Sequence, residues 1–154
     1  MISQSGGLQV TGDSTFANAA GTDAAITLGD SSNTFTGKVT FDTDAGSAVT
    51  ISDSTSLELE TLSVASLNVT SGCAITDSGT LAITGITSIS ASGQNITLDD
   101  TASTFGSLSL TGTDVAVIEA DATDLGTSAV SGTLTITSSG EVTDSGVLTV
   151  GGVT

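Results

Sequence analysis

A long internal repeat limits the folds available to this 154-residue chain. Residues 67–85, LNVTSGCAITDSGTLAITG, align without gaps on residues 134–152, LTITSSGEVTDSGVLTVGG, with nine of nineteen positions identical. Three shorter pairs of segments match at similar offsets: 26–35 with 96–105, 2–12 with 75–85 and, more weakly, 49–59 with 115–125. Repetition of this kind predicts one architecture made by stacking similar units.

The matches predict one domain over residues 1–154, divided into long repeats of about 70 residues. The first repeat covers about 2–74, the second 75–141, and residues 142–154 begin a third. Because a single short unit buries little apolar surface, its stability must come from its neighbours in the stack.

Within each long repeat, short apolar–polar–apolar units recur every 8 to 12 residues or so, as in Ile26-Thr27-Leu28 and Leu81-Ala82-Ile83. This period of two places two side chains on the inner side of a strand and one on the outer side. The chain has 24 Ser, 29 Thr and 19 Gly, so nearly half of it favours strands or turns, and Pro is absent. The composition therefore predicts an all-β fold with many short strands.

Two all-β folds fit this pattern, an antiparallel sandwich and a β-solenoid. A sandwich should show two-residue hairpin signals, yet the chain contains no Asn-Gly or Asp-Gly dipeptide. Similar units also recur at the spacing of a stacked coil, since Ile96, Val115 and Leu134 are each 19 residues apart. We therefore predict a parallel β-solenoid of about seven coils, each of roughly 18–23 residues.

The two ends of the predicted solenoid show no capping segment, and apolar Leu148 and Val150 lie close to the C-terminus. Solenoids need polar caps to stay soluble. The expectation is that this is an uncapped fragment, which continues in a longer chain or stacks end to end on copies of itself. The first residues show no signal peptide, and no apolar run is long enough to span a bilayer.

Four blocks, ITDSGTLAITG, EVTDSGVLTVGG, ITLDDTASTF and LGTSAVSGTLTIT, resemble the repeat regions of very large bacterial exoproteins. These are the filamentous-haemagglutinin-like and autotransporter-like surface adhesins. The resemblance implies a right-handed parallel β-helix on an exported protein, located outside the cell or on the bacterial surface, where it serves as a stalk or adhesive surface.

Charge excludes several classes of partner. The chain has 17 acidic residues and one basic residue, Lys38, for a net charge of −16. Binding to nucleic acid or to an anionic membrane requires Lys or Arg, so we expect neither nucleic-acid binding nor membrane insertion. The chain also lacks His, Arg, Tyr and Trp. An enzyme acting on polysaccharides or other substrates usually needs such side chains, so we expect no catalytic residues and no enzymatic activity.

Clustered acids are the candidates for metal binding, since turn carboxylates are suitable ligands for Ca²⁺. The clustered pairs are Asp42 with Asp44, Asp99 with Asp100 and Asp121 with Asp124, and the last two pairs are the predicted ligands. No EF-hand loop or glycine-rich Ca²⁺-binding repeat is present, so the alternative is that these acids cap turns through their side chains. No other cofactor is expected.

The single Cys73 is aligned with Gly140 in the next repeat, which predicts a small structural residue rather than a reactive thiol. Together these observations predict a structural or adhesive segment of a large exported bacterial surface or filament-forming protein. Its partners would be further copies or neighbouring repeats, and host or environmental glycans. The alternative is an extracellular Ca²⁺-binding or glycan-binding module on a β-helix scaffold.

Overall fold

A computed structural model describes residues 1–152, and this part of the chain is made of twenty strands without a helix. The final two residues of the predicted third repeat, 153 and 154, lie outside the described residues. The strands are β1 (Ile2–Ser3), β2 (Gln9–Val10), β3 (Ser14–Ala17), β4 (Ile26–Leu28), β5 (Thr34–Phe35), β6 (Lys38–Asp42), β7 (Ala48–Asp53), β8 (Leu57–Leu59), β9 (Leu62–Val64), β10 (Ser66–Ser71), β11 (Ile75–Asp77), β12 (Leu81–Ser90), β13 (Ile96–Leu98), β14 (Thr104–Gly112), β15 (Val115–Glu119), β16 (Thr123–Leu125), β17 (Ser128–Val130), β18 (Leu134–Ser138), β19 (Val142–Asp144) and β20 (Leu148–Val150).

The described strands pair in parallel and form stacked coils. The column β1-β4-β7-β10-β12-β14 continues through β17 to β20, and a second column runs from β3 through β6, β8, β11, β13 and β15 to β18. Paired residues are 17 apart at the shortest, Leu108 with Leu125, and 25 apart at the longest, Gln9 with Thr34. The predicted β-solenoid of about seven coils is therefore confirmed.

Each coil contains three strand units, which lie on three faces of the rod. The long strands β12 and β14 each supply two units because they pass round a corner, with a break in register between Ile83 and Ile86. Residues 81–83 of β12 pair with β9, whereas residues 87–90 pair with β10. From β7 to β10, and at every later coil, three units return the chain to the same face.

The predicted stacking register is confirmed at the column that suggested it. Ile96 pairs with Val115, and Val115 pairs with Leu134. The first two of these side chains are almost completely buried. The outward-facing residues between them also stack, with Thr97 beside Ala116 and Ala116 beside Thr135. The spacing of apolar units thus predicts the vertical neighbours correctly.

The core is a column of Val, Ile and Leu side chains that runs through the stack. Three Phe rings widen it in the first coils, where Phe16 lies edge-on to Phe35 at 5.8 Å between centroids and stacked on Phe41 at 5.9 Å. Aromatic pairs of this kind contribute beyond their buried area. The larger rings coincide with the longest coils, since a wider coil has more interior to fill.

The long sequence repeat does not return to the same face. Residues 67–85 begin at β10, in the column of β7, whereas their match at 134–152 begins at β18, in the column of β15. Each of the four matched pairs is ten strand units apart when β12 and β14 are counted as two units each. Ten units equal three coils and one further face, so matched segments lie on neighbouring faces.

Hydrogen bonds confirm that the matched residues occupy equivalent positions despite this rotation. The Ser71 hydroxyl donates to the Thr55 carbonyl at 2.7 Å, and the Ser138 hydroxyl donates to the Asp121 carbonyl at 2.7 Å. The same two hydroxyl oxygens accept the N–H groups of Cys73 and Gly140, at 3.1 and 3.3 Å. The equivalence therefore extends to individual turns.

Candidate functional site

The predicted Ca²⁺ ligands lie at one corner of the rod, on two successive coils. Asp99 and Asp100 follow β13, while Asp121 follows β15 in the next coil and Asp124 lies within β16. Because β13 and β15 pair in parallel, the turns that follow them are stacked neighbours. This corner, which we call the acidic corner, also contains Asp77 and Glu119, the last residues of β11 and β15.

Two of the four candidates use a carboxylate oxygen to hold polar groups of the protein. Oδ1 of Asp100 accepts the N–H of Ala102 at 2.9 Å and the hydroxyl of Thr80 at 3.1 Å. Oδ2 of Asp124 accepts the hydroxyl of Ser145 at 2.8 Å. The matched residue Asp30 makes the same turn as Asp100, since its Oδ1 accepts the N–H of Ser32 at 2.9 Å. These contacts are those of turn-capping side chains.

The other two candidates are exposed, and their backbone groups make the contacts. The N–H of Asp99 donates to Oδ1 of Asp77 at 2.9 Å, and the carbonyl of Asp121 accepts the hydroxyl of Ser138. Across residues 1–152, no three Asp, Glu, Cys or His side chains converge in a way that could hold a metal ion. The assignment of Ca²⁺ ligands stays a prediction.

Three buried acids were missed by the sequence interpretation. Asp53, Asp77 and Glu119 are 3%, 8% and 1% exposed. Each continues the inward phase of its strand, two residues after a buried Ile or Val, so the period of two was the signal that could have found them. Charge argued against this position, because carboxylates are seldom fully buried without partners.

At the corners of the rod, buried polar side chains make hydrogen bonds between successive coils. In five places, one such side chain accepts a backbone N–H from the preceding coil: Asn33 from Leu8, Asp53 from Phe35, Ser103 from Leu81, Glu119 from Phe105 and Ser128 from Leu110. The distances are 2.9 to 3.2 Å. Because a buried N–H without a partner is costly, these side chains stabilise corners where the strand ladder is interrupted.

Two of the three buried acids, Asp77 and Glu119, lie in an environment that disfavours their charged form. Burial raises the pKa of Asp77, against the lowering effect of the Asp99 N–H, and the nearby carboxylates of Asp99 and Asp100 raise it further. Burial also raises the pKa of Glu119, which faces the Thr123 hydroxyl and the Asp121 carboxylate. One oxygen of each acid, Oδ2 of Asp77 and Oε2 of Glu119, is buried without a hydrogen-bond partner within the described residues. Both carboxyls therefore favour the protonated form more than a free side chain does.

Lys38, the single basic residue, lies on the same side of the rod as the acidic corner. Nζ of Lys38 is 2.5 Å from Oε1 of Glu60 and 3.7 Å from Oε1 of Glu58. The hydrogen bond to Glu60 raises the pKa of Lys38, and the same bond lowers the pKa of Glu60. The pair is half exposed, so water screens its contribution to stability.

The lateral surface offers shallow grooves of small side chains. One groove of about 430 Å³ crosses four coils and is lined by Ser92, Gly93, Thr111, Gly112, Ala129, Val130, Ser131, Thr149 and Gly151. Cys73 is half-buried, and its Sγ lies 3.9 Å from the Ser54 carbonyl. Its partners match those of Gly140, which agrees with a structural position.

The two ends of the stack differ from its sides because strands there lack a neighbour on one side within the described residues. At one end, a cavity of about 530 Å³ opens between Ile2, Leu8, Phe16 and Leu28. At the other end, Val142, Val147 and Leu148 are 51%, 70% and 39% exposed. Exposed apolar side chains beside unpaired strand edges are typical of surfaces that join another strand.

The fold and its capped corners define a parallel β-solenoid repeat protein. The family described as repeats of unknown function (DUF5649) matches residues 1–42, 46–111 and 112–154, and the chain belongs to this family. The prediction of a repeat protein is confirmed, while the finer resemblance to adhesins stays a prediction. No curated protein sequence matches the chain, and no solved structure matches it. Among the described residues, no helix is long and apolar enough to cross a membrane.

Proposed function

We propose that this chain is a rigid structural segment of a large exported bacterial surface or filament-forming protein, and that it is not an enzyme. The observation that carries the proposal is the unbroken parallel ladder, which links every coil from β1 to β20 around one continuous apolar core. Such a stack holds its shape over its whole length, because each coil is fixed by its neighbours. Length and stiffness are the properties that a stalk or fibre element requires.

Charge supports a role in a crowded surface layer. The 17 acids are spread over about seven coils, and the one cation is already paired with Glu58 and Glu60. Rods with this charge repel each other sideways, which limits unwanted pairing between exposed strand edges. The outer faces present Ser and Thr hydroxyls, whose contacts with glycans are too weak to saturate a single chain and would add up only along an array of many copies.

A test of location uses antibodies raised against the folded chain. On intact cells of the organism that produces the protein, we expect immunogold labelling of the cell exterior or of filaments. An antibody against a cytoplasmic protein is the control for leakage. Labelling that appears only after the cells are permeabilised would contradict an exported structural role.

A second test separates a structural segment from a binding module. Calorimetric titration with Ca²⁺ and a glycan array should both show no saturable binding to the folded chain. The matched control is the Asp99→Asn, Asp100→Asn, Asp121→Asn, Asp124→Asn variant. If the original chain binds Ca²⁺ and this variant does not, the chain is a Ca²⁺-binding module and the purely structural proposal is wrong.

A further inference from the structure

We infer that the last described coil, β18 to β20, docks a second copy of this chain, which engages through its β3, β4 and β5 after releasing its own β1 and β2. This inference rests on the proposed structural role and names how copies would join end to end. It is carried by a pair of stacked layers that occurs twice inside the molecule and is incomplete at this end.

The lower layer of the pair has the pattern of residues 2–12 and 75–85, and the upper layer has the pattern of residues 26–35 and 96–105. In both places the upper layer lies directly on the lower one with the same register. The paired residues are Ile2 with Ile26 and Val10 with Phe35 in one place, and Ile75 with Ile96 and Ile83 with Phe105 in the other. The two layers therefore form a recurring complementary pair.

In each pair of layers, a buried side chain of the upper layer accepts a backbone N–H of the lower layer. Oδ1 of Asn33 accepts the N–H of Leu8 at 2.9 Å, and Oγ of Ser103 accepts the N–H of Leu81 at 3.0 Å. Both acceptor residues are completely buried. The upper layer thus recognises the lower one by a hydrogen bond as well as by apolar contact.

A third lower layer, residues 142–152, has no upper layer among the described residues. It matches residues 75–85 in six of eleven positions and residues 2–12 in five of eleven. Leu148 corresponds to Leu8 and Leu81 in this alignment, and it is 39% exposed where Leu81 is fully buried. The Gly151 N–H bonds back to Val130, so the alternating amide of Leu148 faces the open end.

A second copy can supply the missing layer with its own residues 26–35. Its β3 is already the terminal strand of its sheet, and only the two-residue strands β1 and β2 cover β4 and β5. Once those strands are released, β3, β4 and β5 form a coil that fits over β18, β19 and β20. Residues 142–152 of the first copy then replace the equivalent residues 2–12, so most contacts are exchanged for similar ones, as in domain swapping.

The register of this exchange gives a direct test by disulfide trapping. Thr76 pairs with Thr97 inside the molecule, and the equivalent residues in the joined copies are Thr143 and Thr27. Two proteins, each also carrying Cys73→Ala, receive a single cysteine as Thr27→Cys or Thr143→Cys. Both positions are exposed, so both variants should fold. The two are mixed, unfolded in urea, refolded together and oxidised, so that the release of β1 and β2 does not limit the reaction.

We expect the matched mixture to form at least about tenfold more disulfide-linked dimer than a mixture of Thr27→Cys with Thr149→Cys, because pairing raises the local concentration of the two thiols. The mismatched positions would lie on different faces, beyond the reach of a disulfide. Equal yields from the two mixtures would overturn the inference. So would preferential linkage of Ser3→Cys to Thr143→Cys, which would mean that copies stack without exchange. Either result leaves the surface-labelling and ligand-binding tests of the structural role unaffected.

Discussion

Residues 67–85 and 134–152 share nearly half of their sequence, yet one segment is buried inside the stack and the other forms its last described coil. Leu81 is fully buried, whereas the corresponding Leu148 is 39% exposed. The equivalent residues Val69 and Ile136 differ in the same way, because Val69 is covered on both sides and Ile136 on one. The exposure of a side chain in this molecule therefore depends on the coils above and below it, and not on the sequence of its own unit alone.

The same two segments also lie on different faces of the rod, and their turns keep the same hydrogen bonds. Ser71 and Ser138 each bridge to the preceding coil at 2.7 Å. The three faces are therefore interchangeable environments, and a unit is specified by the units above and below it. A covered position and its less covered equivalent should therefore respond differently to the same substitution.

Removal of core volume should show the largest difference between the two segments. Leu81→Ala should lower the free energy of unfolding by about 2–5 kcal/mol, because it leaves a cavity in a packed core. Leu148→Ala should cost less than about 1 kcal/mol, because that side chain is already partly in water. Urea unfolding followed by circular dichroism measures both values. Equal losses would show that the last coil is as well packed as the interior.

Added volume at a close backbone approach should give the next largest difference. A Cβ at Gly85 would lie 2.5 Å from the Ala65 carbonyl oxygen, whereas a Cβ at the equivalent Gly12 would meet nothing within 4 Å. Gly85→Ala should therefore cost about 1–3 kcal/mol, since the coils would have to separate. Gly12→Ala should leave the melting temperature unchanged or slightly higher. A destabilised Gly12→Ala variant would contradict the absence of a close neighbour there.

Buried and exposed acids should differ in how stability depends on pH. The pKa of Asp77 is raised in the folded chain, so its protonated form contributes stability below the unfolded pKa of about 3.9, and this contribution is lost as pH rises through the folded pKa. Each unit of pKa difference corresponds to about 1.4 kcal/mol. Between pH 4 and 7, Asp77→Asn should lose less stability than the original chain.

The matched control for this pH dependence is Asp144→Asn, at the exposed equivalent of Asp77. Its pH profile, measured by chemical denaturation across the same range, shows the effect of removing an exposed carboxylate at the equivalent position, and the Asp77→Asn profile should be flatter than it. If Asp77→Asn instead follows the original profile, the burial of Asp77 has no electrostatic effect.

The smallest difference is expected at the bridging hydroxyls. Ser71→Ala should cost about 0.5–1 kcal/mol, because the hydroxyl both donates to Thr55 and accepts from Cys73 in a buried turn. Ser138→Ala makes the equivalent change where water can replace the lost bonds, so its cost should be smaller still. Thermal unfolding of the two variants side by side measures the difference. A larger loss for Ser138→Ala would reverse the ranking.

The stack itself could be predicted because its period is present in the sequence. Ile96, Val115 and Leu134 are evenly spaced, and the structure places each on the next. The early coils are harder to predict, because residues 18–25 form a long connection between β3 and β4 that shows no apolar period. Those coils reach 25 residues, beyond the predicted 18–23.

The rotation of the repeat and the buried acids could not be obtained in the same way. An alignment gives the offset between Leu67 and Leu134, but the face they occupy depends on the length of every intervening coil. Asp77 and Glu119 have an inward phase in the sequence, yet their charge predicts exposure, and the corner N–H groups that they accept are tertiary features. For the metal candidates, the sequence shows which acids are clustered but not which of their oxygens already hold turns.

The mismatch between ten strand units per repeat and three per coil has a mechanical consequence. In an array of such repeats, any tilt between neighbouring coils that a large residue such as Phe35 causes recurs at Phe105 on the next face, a third of a turn away. After three repeats, or ten coils and about 48 Å, the three tilts point in three directions and the bends that they cause cancel. A long array would therefore have no preferred curvature and would grow straight.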